Sequence, residues 1–233
     1  MVKLKNFFLI LLSVFMAGVI FLGYSLIYGM PFKKGVVAKE LETHLEEKYG
    51  MDFHLQEAQY NFVDGNYSGL FYPEAQKELV FRAEKWNWNG VYYDEYPEAI
   101  WKTQLTQDLT PLVNQHFPEY EELQIIVSGG ASHEMQTGKE IFHYKEAQDY
   151  IHLVINSSEK WSLEFEKKEA ENLYNLIQEL QKQNIALDIS LYFNDEEGLN
   201  DSEKPVTHEI YVTSKDLANI QSIEDVLEYS LAF

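Results

Sequence analysis

No charged residue stands between Lys5 and Lys33, and that stretch constrains this chain more than any other. As a helix rising about 1.5 Å per residue, Asn6 to Phe32 would extend roughly 40 Å, beyond the roughly 30 Å hydrocarbon core of a bilayer. A membrane-spanning helix is expected, with the rest of the chain tethered to it. A secretory signal peptide has a shorter apolar run, about 7 to 15 residues, ending at a small-x-small cleavage site. Here the small cluster, Met16-Ala17-Gly18, lies in mid-run. Tyr24, Tyr28 and Phe32 gather at the far end, where amphipathic rings favour a membrane interface. The basic flanks are balanced, Lys3 and Lys5 against Lys33, Lys34 and Lys39. A short tail ahead of a long folded part fits a signal anchor, so the C-terminal part is expected to be extracytoplasmic, in a single-pass cell-membrane protein.

All 38 acidic residues follow Lys39, and the net charge is −20. Such a surface repels nucleic acid, whose binding depends on Lys and Arg neutralising phosphates. It also repels anionic lipid, except beside Lys33, Lys34 and Lys39. Cysteine is absent, which removes disulfides, thiolate metal sites and thiol catalysis. With 45% hydrophobic and 15% aromatic residues, the chain after the anchor can bury one large or two small cores.

Residues 33–118 read as a membrane-proximal α+β domain of helix, β-meander and helix. Pro31 sets off the first helix, Val37, Leu41, Leu45 and Tyr49 recur every four residues, and Gly50 ends it. Phe53, Leu55, Tyr60 and Phe62 then lead to Asp64-Gly65, a strong hairpin signal. Tyr67 to Tyr72 and Glu78 to Glu84 read as further strands. A helix opens near Pro97, with a break or restart expected at Thr110-Pro111.

Several motifs in this half, Tyr28-Gly29-Met30-Pro31-Phe32-Lys33-Lys34, Tyr60-Asn61-Phe62-Val63-Asp64-Gly65-Asn66-Tyr67, Tyr72-Pro73 and Tyr93-Asp94-Glu95-Tyr96, resemble the YfjL-like family. That resemblance implies a membrane-anchored, extracytoplasmic α+β protein of Gram-positive bacteria, of uncharacterised function. It carries no enzyme activity to any residue here.

Residues 119–233 read as a distal α+β domain in the order β-β-α-β-β-α. Leu123, Ile125 and Val127 alternate as a strand, as do Ile151, Leu153 and Ile155. Glu166 to Gln183 carries a helical stripe of Ala170, Leu173, Ile177 and Leu180. The runs around Leu187 to Leu191 and His208 to Val212 suggest an antiparallel pair across the acidic segment Asn194 to Lys204. The expected fold class is thus α+β, an N-terminal transmembrane helix followed by two small domains with antiparallel sheets.

Chemistry-bearing patterns are sparse. Phosphate-cradling glycine loops and the G-x-S-x-G elbow are absent. Trp86, Trp88, Tyr92 and Tyr93 crowd one connection, fitting either ordinary packing or a carbohydrate or peptide platform. His133, His143 and His152 could make an open zinc site if their segments met, although their spacing matches no compact signature and surface histidines are the plainer reading. The loop Asp195 to Asp201 fails the EF-hand pattern, since a glycine at loop position six would put Phe193 at the first ligand position. No cofactor is expected. The favoured expectation is a non-catalytic binding or interaction protein of the cell envelope, attached to the membrane by residues 6–32, with an unidentified protein or envelope partner and no nucleic acid. Its rival is a cell-surface metal-dependent hydrolase using the His133 to His152 region.

Overall fold

The computed structural model describes residues 2–194 and 206–232, which fall into two compact units. Residues 195–201, singled out as an acidic loop, lie outside the described residues.

The first unit runs to Tyr96 and includes residues 138–140. Helix α1, Val2–Tyr28, contains the uncharged stretch, and its side chains from Phe7 to Tyr28 are almost all exposed. Met30 is extended (φ −75°, ψ 122°), and helix α2, Pro31–Tyr49, begins at the proline. Gly50 ends α2 in the left-handed region at φ 69°, its N–H bonded to Glu46 O at 2.7 Å. Strands β1 (Phe53–Asn61), β2 (Asn66–Pro73), β3 (Phe81–Lys85) and β4 (Tyr92–Asp94) form an antiparallel meander in sequence order. One face of this sheet receives Val37, Leu41 and Leu45 of α2, all buried together with Phe53, Phe71, Phe81 and Tyr96. Phe53 meets Phe81 and Tyr96 edge-on at ring separations of 5.7 and 5.2 Å, a favoured arrangement of aromatic quadrupoles. Gly69 is required in β2, because a Cβ there would stand 2.5 Å from the buried Phe71 ring and 2.9 Å from Leu55. The buried Asp94 carboxylate accepts from Tyr49 Oη at 2.7 Å and Lys48 Nζ at 2.8 Å, so its charge is compensated.

The second unit comprises residues 97–137 and 141–233. Helix α3, Tyr96–His116, buries Trp101, Leu105, Leu109 and Val113 at i, i+4 spacing, and Phe117 just past its end is buried too. It therefore packs with the second unit from Pro97 onward, where the sequence pattern had grouped it with the first as far as residue 118. It also continues through Pro111. Burial of Leu109 and Val113 on either side outweighs the roughly 3 kcal/mol cost of an interior proline.

Strands β5 (Tyr120–Val127), β6 (Ile151–Lys160), β7 (Asp188–Asn194), β8 (Val206–Val212) and β9 (Ser230–Ala232) form the second sheet, in that order. It is mixed, not purely antiparallel as expected. β6 and β7 run parallel because helix α5, Leu163–Lys182, carries the chain back between them. The β7–β8 pair is antiparallel, as the alternation had suggested. Between β5 and β6, where the residue pattern marks no clear element, stand the short helix α4, Ala131–Glu134, and two 3-10 turns. A capping box of Ser222 and Asp225 opens the last helix, α6, Ile223–Leu227. The core joins α3 and α5 to one sheet face through Leu173, Ile177, Leu153, Ile189, Leu191 and Ile210.

Candidate functional site at the aromatic end of the first sheet

Two hairpin tips meet at one end of the first sheet because the start of β2 pairs with the end of β3, Tyr67 opposite Lys85. The β1–β2 turn closes after the pair Asn61 and Asn66, with Gly65 at φ 67°. Asn61 shapes it twice: its Oδ1 accepts from Val63 N–H at 3.0 Å and its Nδ2 donates to Asp64 at 2.6 Å. In the β3–β4 tip, Trp86 N–H donates to Val91 O at 2.9 Å and Gly90 N–H to Trp86 O at 2.8 Å. Asn87 fastens the two tips together, donating its N–H to Asn66 Oδ1 at 3.1 Å and its Nδ2–H to Gly65 O.

The α1–α2 junction docks on this same end. Met30 N–H donates to Tyr67 Oη at 2.9 Å, and Lys33 Nζ lies 4.9 Å from the centre of the Tyr67 ring. Gly29, at φ 74°, sits so close that an added Cβ would be 2.7 Å from Tyr60 Cγ.

Of the four aromatics singled out from the sequence, three come together and one departs. Trp86 stacks on Trp88 (5.6 Å, 24°) and on Tyr93 (6.1 Å, 13°). Its Nε1–H donates to Glu84 Oε1 at 2.5 Å, while Glu84 Oε2 takes Arg82 Nη2 at 2.7 Å, so one carboxylate holds ring and guanidinium in place. Trp88 is 76% exposed. Tyr92 turns to the opposite face, as its neighbour on a strand must, and stacks on His44 of α2 at 4.3 Å. There it borders a depression of about 420 Å³ shared with Lys39, Glu40, His44 and Glu47. Burial holds the His44 imidazole below its ordinary pKa, against the pull of the Asp94 charge.

The three candidate metal-ligating histidines stand in separate settings. His133 lies exposed on α4. His143 is exposed too; its Nδ1 accepts from Lys145 N–H at 3.4 Å, capping a 3-10 turn. His152 lies in β6, paired with β5 and β7, so the segment of His143 never becomes its neighbouring strand. Among the described residues no three His, Asp or Glu side chains form a group able to hold a metal ion.

His152 belongs instead to a polar cluster that sequence reasoning missed. Its Nε2 lies 2.8 Å from Ser190 Oγ, which donates to Glu209 Oε1 at 2.6 Å. With the one serine hydrogen spent on Glu209, His152 donates its Nε2–H to Ser190. Residues of three strands build this cluster, and only the polar alternation of Asp188, Ser190 and Tyr192 hinted at it.

Residues 3–95 match the YfjL-like N-terminal domain family. The YfjL-like stretch thus covers α1, α2 and the four-stranded sheet, and it ends beside the Tyr96–Pro97 division between the units. No curated protein matches. Among solved structures, the crystal structure of a DUF5037 family protein from Ruminococcus gnavus ATCC 29149 aligns over 82% of this chain and 97% of that one, at 12% identity and a TM-score of 0.38.

Proposed function

We propose that this chain is a single-pass membrane protein, held by residues 6–32, whose folded part lies outside the cytoplasm and has a non-catalytic binding role at the cell envelope. The carrying observation is α1. It is long and apolar enough to cross a membrane, and none of its most apolar window is buried, whereas a core helix of a soluble protein hides its apolar face. The YfjL-like stretch includes this helix and the sheet docked to its end, which supports reading the two as one functional piece.

The aromatic end of that sheet is the binding surface. Trp88 is presented to the outside on a tip braced by Trp86, Glu84 and Asn87, so little side-chain freedom is lost on contact. The rival hydrolase reading has no comparable support, since its histidines are dispersed.

Protease added to intact cells tests the arrangement. The folded part is expected to be digested while cytoplasmic markers survive. If it is cut only after lysis, the orientation is reversed and an envelope role is excluded.

A further inference from the structure

Once the core of the first unit is filled, large apolar side chains remain exposed at one end of its sheet: Phe62 at 65%, Val63 at 74% and Trp88 at 76%. Phe32, 85% exposed, stands on the first turn of α2 at that same end. We infer that this end is seated in the head-group region of the bilayer that α1 crosses, the two hairpin tips forming a second, interfacial contact with lipid. The inference rests on reading α1 as a membrane span and names the partner of the aromatic surface.

Direction follows from contacts along α2. Its beginning lies at the tip end, where Met30 and Lys33 meet Tyr67, and Glu40 then reaches Lys85 at 2.8 Å. Its last turn lies at the far end, where Tyr49 meets Phe53 and Tyr96. The helix thus runs away from the tips, which project past its start to the side occupied by the end of α1. Phe62 lies two residues beyond Tyr60, a reach of roughly 7 Å along a strand. The interfacial layer of a bilayer is of similar depth.

The chemistry is that of an interface. Trp, Phe and Val at a tip favour the boundary between head groups and acyl chains, and Tyr24 and Tyr28 of α1 already mark that level, their rings 4.9 Å apart. Lys33 and Lys34 flank the site, and no acid precedes Glu40 in the chain. Asp64, the acid of the β1–β2 turn, is engaged by Asn61. A sugar ladder fits less well, because Trp86 lends its faces to Trp88 and Tyr93 and cannot offer them to successive sugar rings.

The absence of cysteine makes a clean test possible. Val63→Cys at the tip and Ala75→Cys in the exposed β2–β3 connection at the other end each receive a nitrobenzoxadiazole label. The full-length chain is then reconstituted in phosphatidylcholine vesicles. The label at position 63 should emit in the blue-shifted range and lose about half its intensity to lipids brominated near the head group. The label at position 75 should stay water-like and be quenched by iodide. Iodide quenching at position 63 equal to that at 75, on a chain that floats with the vesicles, overturns the interfacial seat and leaves the anchor intact. Shielding of position 63 from both iodide and brominated lipid means that protein covers the tip, and overturns it as well. A chain that does not float removes the membrane span and the seat together.

Discussion

Ser190 has one hydroxyl hydrogen and stands between two partners, so its replacement affects both. In Ser190→Ala, Glu209, itself only 8% exposed, loses a 2.6 Å donor and the His152 N–H loses its acceptor. Urea unfolding of the full chain in detergent should show a loss of about 1–3 kcal/mol, the cost of leaving a buried polar group unmet. An unchanged midpoint would mean that the cluster is solvated and contributes nothing to the sheet. This arrangement was not legible in the sequence, because His152, Ser190 and Glu209 become neighbours only through the β6–β7 and β7–β8 registers. The aromatic group was legible as a cluster but not as a shape. Strand alternation sends Tyr92 to His44, and nothing in the spacing announced that Glu84 would hold Trp86.

At the scale of elements, α3 carries an exposed proline in its interior, tolerated because its neighbours are buried. Pro111→Ala should restore an N–H and relieve the clash with the preceding turn, raising stability by about 1–2 kcal/mol. Thermal unfolding of the variant beside the parent chain checks this, and a lowered midpoint would contradict it. Local signals served well for elements closed by their own residues. The Asp64-Gly65 turn and the Gly50 cap both stand where the sequence put them. The start of α5 was read late, since its cap is Ser162, whose Oγ accepts from Phe165 N–H at 3.1 Å, ahead of the apolar stripe. Partners set by distant segments were not legible, which is why the parallel β6–β7 pair and the company kept by α3 emerged only in three dimensions.

On the scale of the whole molecule, the acids follow α1 and the uncharged stretch precedes the fold. Among the described residues nothing covers the apolar side chains of α1, and the sheet end docked to it carries tips of similar character. That the N-terminal stretch forms one helix long and apolar enough to cross a membrane was the most legible property of the sequence, because length and absence of charge need no tertiary information. That the first sheet would close around its end was not, since it depends on Tyr60 and Tyr67 meeting Gly29 and Met30. The most direct measurement is alkaline carbonate extraction of broken cells, followed by intact-mass determination of the product in each fraction. Full-length chain, with its first residues present, is expected in the membrane pellet. Full-length chain with an intact N-terminus in the supernatant would contradict the membrane span.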